Sequence, residues 1–181
     1  MLKLCTWLAR RLPAREIKGP NGEPYLQRFY LVGFLGFKFY LHRFIASDPD
    51  RGLHDHPWLF AWALVLHGGY DEVRLVKADR LAHLEIKTFI RWKGDINRIP
   101  GDAWHRVVLP EGMEAWTLFC HWRRYKGWGF LQYETRKAAA NADHHYDIVP
   151  TACEPYALNR DWDKQDWWKN PDCPKGREVL T

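Results

Sequence analysis

The sequence predicts an all-β protein, a barrel or sandwich of short strands, and three observations predict it. Eight or nine short apolar segments recur at regular spacing along the chain. Turn residues punctuate them, among them Gly33 to Gly36, Gly68-Gly69, Gly94-Asp95 and Pro110 to Gly112. Helical spacing is confined to 2–12 and to 134–145, which holds Ala138-Ala139-Ala140.

Each element follows in order. Leu2, Leu4, Cys5, Leu8 and Leu12 form an amphipathic stripe ended by Pro13, so 2–12 reads as a helix capping the barrel. Gly19-Pro20-Asn21-Gly22 marks a turn, and 25–33 and 37–45 are strands of a hairpin rich in Phe, Tyr, Leu and Val. After a loop at 47–52, His54 to Leu66 reads as the central strand, its continuous apolarity implying that both faces are covered. Strands are expected at 70–76, 83–92, 106–109, 114–122 and 128–133. Beyond Pro150 the chain turns polar, with Trp162, Trp167 and Trp168 among Asp and Lys. The expected organisation is a barrel with its helix over 1–150 and a tail over 151–181 wrapped on its outside.

A chain of 181 residues with 46% hydrophobic residues suits one domain with a real core. Eleven Trp favour thick aromatic packing or flat binding surfaces. A net charge of +5 permits an anionic ligand without demanding nucleic acid. Cys5, Cys120, Cys153 and Cys173 form no C-x-x-C pair and do not look like a secreted disulfide framework. The N-terminal apolar segment is too short for a signal peptide, and no run approaches the ~18–20 apolar residues of a membrane helix. The expectation is a soluble, cytoplasmic protein with no membrane partner.

The chemistry is concentrated in His54-Asp55-His56 and His105. On a strand, residues i and i+2 point the same way, so His54 and His56 would share a face. A histidine from a neighbouring strand could close a three-nitrogen metal site. Neutral imidazole suits iron, zinc, copper, nickel and manganese.

These two segments resemble the motifs of the cupin superfamily, small barrels of the jelly-roll class. The family's first motif is matched by His54, His56 and Gly68; its Glu position is Phe60 or Ala61, and its leading Gly is displaced to Gly52. The second is matched by Gly94, Pro100 and His105; Gly101 stands one position early and Leu109 replaces an Asn. The resemblance spans roughly residues 37–133. It implies a cupin-type double-stranded β-helix with metal ligands His54, His56 and His105. The missing Glu points towards three-His cupins such as the thiol dioxygenases, hence Fe(II), with zinc, nickel or manganese as other ions. A homodimer is a further implication.

Further candidates surround this stretch. Arg43 shares a period-2 face with Phe39 and Leu41, where a charge needs a partner. A substrate anion and a barrel acid fit equally; His42 points the other way, so at most one of the pair faces the lumen. Tyr70 could donate a hydrogen bond to substrate, whereas Glu72 on the same face is expected in solvent. Asp55 reads as structural, as do His67 and His121, and Cys120 as core. His144-His145 are expected on the surface. Arg123-Arg124-Tyr125-Lys126 reads as a solvated turn rather than a nucleic-acid contact.

The function expected is a mononuclear Fe(II) dioxygenase acting on a small polar molecule. His54, His56 and His105 would hold the metal, with Tyr70 and Arg43 contacting substrate. Two other readings stay open: a non-catalytic small-molecule-binding or regulatory module, and a cupin sugar isomerase or epimerase.

Overall fold

The structure is a computed structural model that describes every residue except 50, 51, 79–83, 138–145, 155–166, 170, 172, 174, 177, 178 and 181. Among the described residues, one α-helix, α1 (Leu2–Ala9), precedes twelve strands. These are β1 (Ala14–Lys18), β2 (Pro24–Phe34), β3 (Phe37–Phe44), β4 (Leu53–His54), β5 (Phe60–His67) and β6 (Gly69–Ala78). Then come β7 (Leu84–Trp92), β8 (Ile96–Pro100), β9 (His105–Val108), β10 (Ala115–His121), β11 (Phe130–Lys137) and β12 (Tyr146–Glu154).

The strands form two six-stranded antiparallel sheets, β1-β2-β3-β10-β5-β8 and β12-β11-β4-β9-β6-β7. From β3 to β11 the chain alternates between them, staying in one sheet only for the β6–β7 hairpin, and it ends with β11 and β12 paired in the second sheet. That alternation is the winding of a double-stranded β-helix, the jelly-roll arrangement, and it gives two inner faces with space between them.

Strand parity sorts the cores. Leu26, Phe44, Val65, Tyr70 and Val107 pack between the sheets, as do Tyr40, Trp58, Ala61, Ala63 and Phe119. Phe29, Leu41 and Trp116 lie on the opposite face of the first sheet and pack with Cys5 and Ala9 of α1 and with Val179. The helix and Cys173, Val179 and Leu180 of the C-terminal segment therefore cover the outside of this sheet, whereas Trp167 packs on the cluster between the sheets and lines the cavity. Gln27 Nε2 donates to the Val179 carbonyl, and Cys173 pairs with Ala14 through backbone bonds. Trp168 stacks on Tyr30 at 4.3 Å, and Trp167 lies 6.3 Å from Tyr40.

Several expectations change. The stretch from His54 to Leu66 is not one strand: β4 belongs to one sheet and β5 to the other. Pro57, which lacks an N–H, lies in the crossing between them. The outer face of β5 is not fully covered, since Trp62 is 38% exposed. Residues 134–137 continue β11 instead of opening a helix, because they pair with β12. The rest of that expected helix and His144-His145 lie outside the described residues, as does Trp162. β12 runs across the expected boundary at 150. Strands β1, β8 and β12 have no counterpart among the expected strands.

Candidate metal centre

Two strands and a linker bring the three histidines together. His54 ends β4 and pairs directly with His105, the first residue of β9. His56 lies past β4, where its backbone N–H donates to the Gly101 carbonyl at 3.3 Å. The carbonyl of Trp58 also approaches Gly101, where an added Cβ would stand 1.8 Å from it. Only a residue without a side chain lets the Pro100-Gly101 turn sit this close to the His56-Pro57-Trp58 segment. Asp55 points away from the cluster, as expected. It pairs with Lys126 and accepts from the Gly129 N–H at 2.7 Å, fixing the backbone between the two histidines.

One nitrogen from each of His54, His56 and His105 lies within 4.8 Å of the others. The ring centroids stand 5.0 Å apart in all three pairs. His56 Nε2 and His105 Nε2 are 2.8 Å apart. Two imidazole nitrogens each about 2.0–2.1 Å from one ion stand about 3 Å apart in adjacent coordination positions, so this donor set fits a transition metal.

Behind the cluster lies a residue that the sequence reading placed in solvent. Glu72 is fully buried. Its Oε1 accepts from His105 Nδ1 at 2.7 Å and from Arg74 Nη2 at 2.5 Å; its Oε2 accepts from Arg91 Nη2 at 3.0 Å. Burial opposes its ionisation, but His105, Asn97 and Arg74 outweigh that and hold its pKa at about 2. The carboxylate orients the His105 ring and leaves Nε2 for the centre of the cluster, the usual role of a carboxylate behind a metal-binding histidine. His54 has a weaker counterpart: Asp48 Oδ2 lies 3.8 Å from its Nδ1 and accepts the Val107 N–H at 2.8 Å.

The histidines open onto a cavity of about 340 Å³ between the sheets. Trp58 stacks on His56 at 4.5 Å and on His121 at 4.6 Å, forming an aromatic wall. Tyr70 lines the cavity and is 3% exposed. Burial pushes its pKa to about 12, and Asn97 Nδ2 donates to its hydroxyl at 3.4 Å. Burial and the neighbouring histidines drive the His56 pKa well down.

Arg43 does not join this group. It points to the other face of β3, where Nη2 is 2.7 Å from Glu114 Oε2 and Nη1 donates to Gln27 Oε1 at 3.3 Å. His42 faces the cavity instead, as does Arg28 beside it. The 123–126 turn is not merely solvated either: Arg124 lines the cavity and Lys126 holds Asp55. Cys5, Cys120 and Cys173 are free thiols, Cys5 and Cys120 being buried. No helix among the described residues is long and apolar enough to cross a membrane.

No protein-family model matches the chain, and no curated protein does. Solved structures similar to it include Fe(II) HppE in complex with substrate, at 13% identity and a TM-score of 0.49, covering 63% of this chain and 58% of that one. Recombinant oxalate oxidase in complex with glycolate is 17% identical, with a TM-score of 0.47 and coverage of 63% and 59%. A cupin protein from Bacteroides fragilis is 16% identical, with a TM-score of 0.41 and coverage of 53% and 75%. The chain thus spans under two thirds of the length of the first two. Strand order and histidine placement give the assignment on their own: the fold is a cupin-type double-stranded β-helix that gathers three histidines at its cavity.

Proposed function

We propose that the protein is a metal-dependent enzyme, a mononuclear Fe(II) dioxygenase acting on a small polar molecule. One observation carries this reading: three imidazole nitrogens converge within 4.8 Å on the wall of a cavity, one ring being fixed from behind by Glu72. His54, His56 and His105 would hold the ion. Bound there, Fe(II) would supply open coordination positions and the redox couple that oxygenation needs. Zinc, nickel or manganese would fit the same nitrogens.

The chain's own residues do the rest. Glu72 keeps His105 in one tautomer and one orientation. Trp58 and Pro57 present an apolar wall that excludes water beside His56. Tyr70, its pKa raised to about 12, keeps its proton at neutral pH and is placed to donate to a substrate oxygen.

A non-catalytic binding module is the second reading, favoured by the 2.8 Å spacing of His56 Nε2 and His105 Nε2, which is also the length of an N–H···N hydrogen bond. The isomerase or epimerase reading needs a base in the cavity. Asp48, the one carboxylate among the described lining residues, is engaged by the Val107 N–H, so that base would be one of the neutral cavity histidines, His42 or His121.

Oxygen uptake separates these readings. Protein loaded anaerobically with Fe(II) is mixed with air-saturated buffer and a panel of small carboxylates, phosphonates, thiols and diols. The proposal expects substrate-dependent oxygen consumption that disappears in His105→Ala. Tight binding of a panel member without oxygen consumption supports the binding module instead.

A further inference from the structure

The inner face of the first sheet, across the cavity from His54 and His105, carries a polar row that the metal centre does not use. Arg28, His42 and Thr117 are direct cross-strand neighbours on β2, β3 and β10. All three line the cavity. Arg28 Nε donates to His42 Nε2 at 3.0 Å. His42 is buried, and burial followed by the charge of Arg28 lowers its pKa well below the usual value. With Nε2 accepting, the proton of this neutral ring sits on Nδ1, a donor. The Thr117 hydroxyl is buried, the residue being 1% exposed, and it has no hydrogen-bond partner. An unpaired buried hydroxyl is costly, so its presence on a cavity wall points to a ligand that completes it.

Charge along the cavity agrees. Arg15, Lys18, Arg28, Lys38 and Arg124 line it against one carboxylate, Asp48, among the described residues. In a partly desolvated space such an imbalance attracts anions. At about 340 Å³ the space lies at the small end of ligand pockets.

We propose that Arg28, His42 and Thr117 form an oxyanion-binding row that receives the carboxylate or phosphate-type group of a small substrate while its other end faces the histidine cluster. This names the substrate class of the reading above and rests on that reading for the word substrate. The row itself is made by the chain and does not require metal.

Isothermal titration calorimetry with inorganic phosphate and with acetate tests it, on metal-stripped and metal-loaded protein, with metal content measured on the same samples. The probes distinguish a phosphate-type from a carboxylate ligand. Saturable binding of at least one is expected, weakened about tenfold or more in Arg28→Gln and in Thr117→Val, and unchanged in Lys87→Gln, a surface charge paired with Glu85. Thr117→Val has a second readout, since it removes an unpaired buried hydroxyl. Its melting temperature without ligand should rise by about 2–4 °C while anion binding falls. A merely structural role for Thr117 would not move these two in opposite directions. Absence of binding by both anions, or equal binding by wild type and both variants, overturns the proposal. Arg28-dependent anion binding by protein that takes up no metal on loading would support the row and sink the metal reading instead.

Discussion

Glu72 Oε1 lies 2.7 Å from His105 Nδ1, and the carboxylate that makes this contact is fully buried between two arginines. One side chain thus serves stability and site geometry together. Arg74 and Arg91, each about one fifth exposed, are neutralised from below by a group that cannot reach water. Glu72→Gln should weaken metal binding by about 10–100-fold in a chelator competition. It should also lower unfolding stability by several kcal/mol, because two arginines lose their shared anion; removing one partner of a buried pair costs about 3–5 kcal/mol. Urea titration of the metal-free variant measures the second effect separately. A variant with wild-type metal affinity would remove Glu72 from the site.

The acid limb of stability follows from buried neutral histidines. Burial lowers the His121 pKa to about 3, with Arg28, Lys38 and Arg124 adding to the effect and a bond to the Trp122 carbonyl opposing it. His42 is lowered too, by burial and Arg28. In the unfolded chain both would protonate near pH 6.5, while in the fold they stay neutral. The unfolded state therefore binds more protons as pH falls, and stability falls with it, by up to about 1.4 kcal/mol per pH unit per group. For His121 the window runs from about 6.5 down to about 3. Below about 4.5 Glu72 adds to the loss, its folded pKa being about 2. Denaturation of the metal-free protein across this range should show a continuous decline, shallower in His121→Gln. A flat profile between pH 6.5 and 5 would contradict it.

Gly101 packs its α-carbon against the Trp58 carbonyl, and any side chain collides there with backbone rather than with a flexible tip. Gly101→Ala should displace the His56-Pro57-Trp58 segment and lower both stability and metal binding. Gly94→Ala is a useful comparison. Its added Cβ meets nothing within 4 Å, so its cost comes from a φ of +100° alone and should leave metal binding intact. Metal affinity for the two folded variants tells steric displacement from general destabilisation.

Arg43 supplies a negative prediction. Its pair with Glu114 is partly exposed, so Arg43→Gln should cost about 1 kcal/mol or less and leave metal content and anion binding at wild-type values. Loss of either would mean that the outer face of β3 communicates with the cavity.

The same residue explains what could be read beforehand. Strand spacing, turn residues and the ordered His54, His56 and His105 were legible, because periodicity and motif order are properties of a linear chain. Which face of β3 meets the cavity was not. Phe39 and Leu41 gave Arg43 an apolar setting, but that face is buried beneath α1 and the C-terminal segment, while Tyr40 and His42 face the cavity. Both faces are covered, and hydrophobic alternation cannot rank them. Glu72 escaped for a related reason. Its partners Arg74, Arg91 and His105 come from β6, β7 and β9, and only the sheet pairing makes one carboxylate their common acceptor. The crossing at Pro57 hid too, because the apolar run masks the change of sheet between β4 and β5.

The central claim is that three imidazoles hold one ion. Elemental analysis tests it most directly, on protein made without a polyhistidine tag, loaded anaerobically with Fe(II) and desalted. One equivalent is expected in wild type, and almost none in His56→Ala and His105→Ala variants that retain their strand circular dichroism. Wild type that holds neither iron nor zinc, nickel or manganese after loading, or a His54→Ala, His56→Ala, His105→Ala variant that keeps a full equivalent, would contradict it.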